Sequence, residues 1–407
     1  MPREDVLNLI NMNYLEDFNM RFPHLSEQIL RELDNQSLTE CRKLSTSMCD
    51  FIDNTKIPWM RLIRKGIPDW EDQKESWKIL RRARVDTVRK IACAAHQFYT
   101  SIVFKRGKTP LHFAVRVGEM DVFLEILERT KDKNPKDNQG LTPLHWAAKR
   151  GYLEICQLII ENVEDKNPQN KFGKTPLHQA AEYGHLKICQ LIMTAIEDEN
   201  PKNHNGSTPL HLAAINDNLK VYQLIMTSVV DKNPNDNHGV TPLHQAAVGG
   251  HLEICQLIMT TIEDKNPMDD NGDTPLHLAA INGHLNVYQL IMATVEDKNP
   301  KDSFGHTPLH RAAKYGHLKI FQLIMTSIED KNPKDNNGVT PFHRAAEYGH
   351  LEICQLIIPS VDDKNPKDKY GVTPLHRAAE DGHLEICQLI MTTIGDNTLM
   401  DDYNFWP

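Results

Sequence analysis

Between Asn237 and Pro267 the apolar positions fall into two short helical runs set between polar turns. Leu243, Ala246 and Ala247 mark the first run, at the three- and four-residue spacing of one helix face. Ile254, Cys255, Leu257 and Ile258 mark the second. Asn237-His238-Gly239 and Asp264-Lys265-Asn266-Pro267 are turn sequences on either side. Thr241-Pro242 opens the first helix: the threonine caps it, and proline fits a first position whose N–H has no partner in any case. Gly250 ends that helix and His251-Leu252 opens the second.

The unit repeats without a slip. Thr-Pro returns every 33 residues, at Thr109, Thr142, Thr175, Thr208, Thr241, Thr274, Thr307, Thr340 and Thr373. The turn glycine recurs with it, from Gly107 to Gly371. A fixed period of this length predicts a solenoid, in which each unit stacks only on its neighbours. Such an array presents a long surface rather than one deep pocket.

The unit, with T-P-L-H-x-A-A in nearly every copy and T-P-F-H in the eighth, resembles the ankyrin repeat over residues 105–394. The resemblance implies an all-α solenoid of nine helix-turn-helix repeats with hairpin turns, and a protein-binding role. One departure stands out. The family places Gly just after the second helix, where this chain has Val163, Ile196, Val229, Ile262, Val295, Ile328 and Val361. β-Branched residues resist the left-handed conformation, so these helices must close in another way.

The nine motif histidines, His112 to His376, raise a metal reading. The resemblance instead implies that each hydrogen-bonds within its turn and steadies the next unit, and no carboxylate or cysteine stands at ligand spacing. There is no Gly-rich phosphate loop, nucleophile elbow or HExxH. The expectation is a non-enzymatic protein with no cofactor. Asn134, Asn167, Asn200, Asn233, Asn266, Asn299, Asn332 and Asn365 fall where ankyrin repeats are similar to substrates of asparaginyl hydroxylase; turn chemistry accounts for them more simply.

In ankyrin arrays the first helices and hairpin tips form the concave binding face, so the variable positions there carry specificity. The residue after the motif histidine reads Phe113, Trp146, Gln179, Leu212, Gln245, Leu278, Arg311, Arg344 and Arg377. The face thus runs from aromatic to basic. Three arginines about 10 Å apart suit an acidic or phosphorylated segment, unless neighbours such as Glu347 and Glu380 neutralise them. Tyr183, Tyr315 and Tyr348, with the tips Phe172, Phe304 and Tyr370, add aromatic anchors.

The first hundred residues lack the period. Residues 22–65 read as three short amphipathic helices, the second opened by the capping box Ser37-Leu38-Thr39-Glu40. The order Phe22-Pro23, Glu27, Ile29-Leu30, Leu33-Asp34, Ser37-Leu38, Leu44-Ser45 and Trp59 resembles an F-box. Phe22 in place of Leu and Met48 in place of Trp depart from that family. The resemblance implies docking on a Skp-type adaptor of a cullin-RING ubiquitin ligase, through Pro23, Ile29, Leu30, Leu33 and Leu38. The array would then hold a protein substrate, and the catalysis would belong to other subunits. The alternative is a scaffold or effector whose N-terminal helices only cap the array.

Residues 1–21 extend the N-terminus. Residues 66–104 keep helical spacing through Trp70, Trp77, Leu80, Val85, Val88, Ile91, Ala92, Ala95 and Phe98, and are expected to cap the first repeat. The tail, 395–407, carries Leu399, Tyr403, Phe405 and Trp406 and would cover the last repeat.

Charge narrows the partners. The net formal charge is -9, and residues 1–100 nearly balance at 16 basic against 15 acidic. The acid excess therefore lies in the repeats and argues against broad nucleic-acid binding. No apolar run is long enough for a bilayer, and the start, Met-Pro-Arg-Glu-Asp, does not read as a secretory signal. Five of the eight cysteines share one register with Phe123, Tyr222, Tyr288 and Phe321, an apolar packing slot. Reduced structural thiols fit a cytoplasmic or nuclear protein, a monomer outside the ligase complex.

Overall fold

The computed structural model describes residues 79–80, 82–88, 90–91 and 107–394. The F-box-like segment 22–65, with Pro23, Ile29, Leu30, Leu33 and Leu38, lies outside the described residues, as does the tail 395–407. The described residues are helical with no strand, and they form two compact units. The first runs to Ala180 and takes in Gln190–Ile196; the second holds Ala181–Cys189 and the residues from Glu197 onward.

In the first unit, α1 (Pro110–Val117) pairs with α2 (Met120–Arg129) and α3 (Pro143–Arg150) with α4 (Leu153–Glu161). Helices α5 (Pro176–Glu182) and α6 (Leu186–Met193) form the repeat in which the division falls. The second unit continues with α7 (Pro209–Ile215), α8 (Leu219–Ser228), α9 (Pro242–Gly249), α10 (Leu252–Met259), α11 (Pro275–Asn282) and α12 (Leu285–Met292). It ends with α13 (Pro308–Tyr315), α14 (Leu318–Ser327), α15 (Pro341–Glu347), α16 (Leu351–Ile357), α17 (Pro374–Glu380) and α18 (Leu384–Ile394).

Within the second unit each first helix packs most closely on the first helix of the next repeat. Fully buried alanine pairs such as Ala246-Ala247 and Ala279-Ala280 allow that approach. The second helices bury their isoleucine stripe, and Cys156, Cys189, Cys255, Cys354 and Cys387 sit there as free buried thiols. Burial pushes Cys156 and Cys255 up to about 12, which makes them inert.

The Asp-Lys-Asn-Pro turn explains how these second helices close without glycine, except after Ile196, where Glu199 stands in place of the lysine. Val229, Ile328 and Val361 are extended, with φ of -96, -121 and -124. A lysine three residues on folds back over the open helix end. Lys232 Nζ donates to the carbonyls of Met226 and Val229, Lys298 Nζ to those of Met292 and Val295, and Lys364 Nζ to those of Ile358 and Val361. A cation at a helix C-terminus also meets the negative end of the macrodipole.

The asparagine that follows is structural too. Asn233 Oδ1 accepts from Leu243 N at 2.9 Å, and Asn266 Oδ1 from Leu276 N at 3.1 Å, so the turn is tied to the next first helix. Hairpin tips are linked by backbone bonds, for instance Asn336 N to Phe304 O at 3.0 Å and Lys369 N to Asn337 O at 2.9 Å.

Asp217 holds the only positive φ of a non-glycine among the described residues, +57, where the other repeats have glycine. The described residues between 79 and 91 lie against the first repeat. Leu80, Ala83, Val88 and Ile91 are buried, and Glu125 of α2 accepts from Arg84 N at 2.6 Å, Arg84 Nε at 2.9 Å and the Thr87 hydroxyl.

Candidate protein-binding surface

The face carried by the first helices stands on a ladder of buried histidines. In each capping box the Thr N–H donates to the histidine Nδ1, as at Thr274 and His277, 3.1 Å apart. That fixes the tautomer: Nε2 holds the proton, and in the repeats of His112, His244 and His310 it donates to a carbonyl of the next repeat. His112 reaches Leu141 O at 3.0 Å, His244 reaches Asp273 O at 3.1 Å, and His310 reaches Val339 O at 3.1 Å. Burial lowers His112, His145 and His277 to about 4 and His310 to about 3.

In His112, His145, His277 and His310 both ring nitrogens are therefore engaged, and these rings are neutral at physiological pH. This matches the role expected for the motif histidine and leaves it no lone pair for a metal. Asp273, His277 and Asp302 bring ligand-type atoms within 4.8 Å of one another, but the same bonds occupy His277, and Asp302 Oδ2 lies 2.8 Å from Arg311 Nη2.

The variable column divides into buried and exposed members. Phe113 does not belong to a contact surface: it is only 2% exposed and part of the core. A large ring gains more by packing than by facing solvent, and this corrects the expectation that it opens the binding face. Trp146 is half-buried, with Lys108 Nζ 5.2 Å above its ring and the His112 ring edge-on at 6.3 Å. Gln179, Leu212, Gln245 and Leu278 are half-buried.

The three arginines are each ion-paired. Arg311 Nη2 meets Asp302 at 2.8 Å and Asp273 at 3.4 Å. Arg344 Nη1 meets Glu347 at 2.9 Å. Arg377 approaches Asp368 at 3.8 Å and Glu380 at 4.0 Å, the loosest of the set. The partners expected from sequence, Glu347 and Glu380, are joined by tip aspartates that sequence reasoning missed. Asp302 and Asp368 lie nine residues before their arginines and Asp273 lies 38 before Arg311, so the pairing needs the hairpins to fold over the helix. Burial works to raise Asp302, yet its bonds from His306 and Phe304 and its pairing with Arg311 hold it below the usual carboxylate range.

The exposed aromatic members remain. Tyr183, Tyr315 and Tyr348 are all exposed at the ends of their first helices. Lys314 Nζ lies 5.4 Å from the centroids of both Tyr315 and Tyr348, and Tyr315 stacks on His317 at 6.4 Å. Phe304 and Tyr370 project from the tips, 59% and 78% exposed.

Six overlapping matches to the family model for ankyrin repeats (3 copies) cover residues 80–170, 111–201, 147–236, 177–269, 256–335 and 309–401. The chain belongs to the ankyrin-repeat family. Its all-helical, regularly paired repeats are those of an ankyrin solenoid, and ankyrin repeats serve as protein-interaction scaffolds. The family matches start at residue 80 and include no F-box. No curated protein matches the chain. No helix among the described residues is long and apolar enough to cross a membrane.

Proposed function

We propose that this ankyrin-repeat protein is a non-enzymatic substrate receptor: its repeats hold a protein partner, and residues 22–65 dock a Skp-type adaptor of a cullin-RING ligase. The observation that carries the binding half is the set of exposed aromatics, Tyr315, Tyr348, Phe304 and Tyr370, on a frame whose capping threonines and motif histidines are already bonded to one another. Aromatic residues on a rigid frame contribute contact area at low entropic cost. The ligase half rests on the order of landmarks from Phe22-Pro23 to Trp59.

Affinity capture of the full chain tests the ligase half. Recovery of Skp and cullin subunits, lost when Leu33 and Leu38 are replaced by Asp, supports it; capture without either subunit removes it. Tyr315→Ala with Tyr348→Ala tests the binding half by proximity labelling, and an unchanged partner list removes that surface. A second reading, a scaffold with no ligase link, is favoured by the docking of residues 84–87 on Glu125, because that contact gives these residues a capping role of their own. It predicts partners through the repeats and none of the ligase subunits.

A further inference from the structure

We infer that the hairpin tips of the last three repeats form a positively charged, aromatic platform that selects an acidic, extended segment of a partner protein. The inference deepens the binding half of the proposed function and rests on it. The sequence directs attention to the arginine column, but those guanidinium groups are paired. The tips carry exposed charge as well, and there Lys301 Nζ donates to the backbone carbonyl of Lys334, at 3.2 Å.

Each of these tips contains one aspartate and at least one lysine. The side chains of Asp302, Asp335 and Asp368 are 0%, 1% and 0% exposed. Their Oδ1 atoms are turned inward and accept two backbone amides apiece: Phe304 and His306, Asn337 and Val339, Tyr370 and Val372, all at 2.8 or 2.9 Å. The lysines beside them, Lys301, Lys334, Lys367 and Lys369, are exposed. Hidden carboxylates and exposed ammonium groups leave the outer surface positive, although residues 197–394 as a whole carry 26 acidic against 16 basic residues.

This polarity is local. The two preceding tips hold Asp236, Asp269, Asp270 and Asp273, of which Asp270 is exposed, and Met268 in place of a lysine. A long polyanion would run onto those carboxylates, so the platform favours a short ligand. Neighbouring repeats lie about 10 Å apart, so three tips span roughly 20 Å, the length of about six extended residues. Backbone bonds between the tips fix that spacing. Phe304 at one end and Tyr370 at the other give such a segment an apolar contact on each side.

The test uses the full chain and fluorescence anisotropy with a labelled peptide, Asp-Leu-Glu-Ser repeated three times. A peptide of Lys-Leu-Arg-Ser repeats and a twelve-nucleotide thymidine strand serve as comparisons. The acidic peptide is expected to bind most tightly, and to weaken at least tenfold between 20 and 300 mM salt, because exposed charges are screened over about 10 Å at 0.1 M. Replacing the four lysines by Glu is expected to weaken it at least tenfold at low salt. Phe304→Ala with Tyr370→Ala is expected to weaken it at both salts, with thermal melting confirming that the variants fold. Tighter binding of the basic peptide, or unchanged binding by the four-lysine variant, overturns the inference. Tighter binding of the thymidine strand replaces a protein ligand by a nucleic acid and overturns it too. The parent reading fails separately: it falls only if the tyrosine substitutions leave the cellular partners unchanged.

Discussion

Lowering the pH from 7 to 5 should destabilise the second unit through its histidines. His211, His244, His277, His310 and His343 all titrate below the ordinary range because burial disfavours the imidazolium. The sign follows from proton counting. In the unfolded chain each ring binds a proton near pH 6.5, while in the folded chain His277 resists until about 4 and His310 until about 3. The unfolded state therefore holds more protons throughout that window, and stability falls as pH falls from about 6.5 towards 4.

Each ring held neutral costs about 2 kcal/mol between pH 7 and pH 5, so His277 and His310 together remove about 4 kcal/mol, and the other three act in the same direction. A domain stable by about 5–15 kcal/mol loses much of its margin to that change. Urea melts followed by circular dichroism at 222 nm, at pH 7, 6 and 5, give the free energy at each pH. The slope should correspond to an uptake of at least two protons on unfolding. His310→Gln should reduce that uptake by about one. A free energy constant from pH 7 to 5, with loss confined below pH 4.5, would assign acid sensitivity to carboxylates and refute the reasoning.

Other substitutions separate framework from surface. Asp217→Gly should stabilise the chain by about 0.5–1 kcal/mol, since it relieves a left-handed aspartate at the cost of a 3.6 Å contact to His251; a lower melting temperature would refute this. Lys298→Met uncovers the carbonyls of Met292 and Val295 and should cost about 1–2 kcal/mol in urea melts, whereas exposed Lys319→Met should stay within about 0.5 kcal/mol. Gly272→Ala and Gly371→Ala share a φ of +78, but a Cβ at Gly272 would sit 2.7 Å from Ser303 N while one at Gly371 meets nothing within 4 Å. The first should therefore melt at a clearly lower temperature than the second, and equal melting would remove tip stacking as the cause. Arg311→Ala leaves the buried Asp302 without its cation and should destabilise by about 2–4 kcal/mol, while Arg344→Ala, paired only with its helix neighbour, should cost under about 1 kcal/mol.

The repeat was legible in the sequence because ankyrin geometry is written in local letters. Thr caps, Pro starts, Gly turns and the alanine pair packs at fixed offsets, and each unit needs to satisfy only itself and its neighbours. The structural role of the motif histidine could be read for the same reason: its partners lie three residues back and one repeat ahead. Helix closure could not be read in advance. Val229 and Val361 only say that a left-handed glycine is missing, and the answer, a lysine folding back over two carbonyls, depends on the path of the turn.

What the sequence determined by itself is the period, the all-α solenoid and the framework role of its constant letters. What only the tertiary structure decided is which variable residues remain available to a partner. Arg311 reads as a free cation beside Ala312, but Asp302 and Asp273, nine and 38 residues away, fold onto it. Phe113 reads as a surface aromatic, but packing takes it into the core. Lys301 and Asp302 are adjacent in the chain, yet the hairpin turns one outward and hides the other. Availability of charge is set by burial and pairing across the fold, and neither follows from residue type alone.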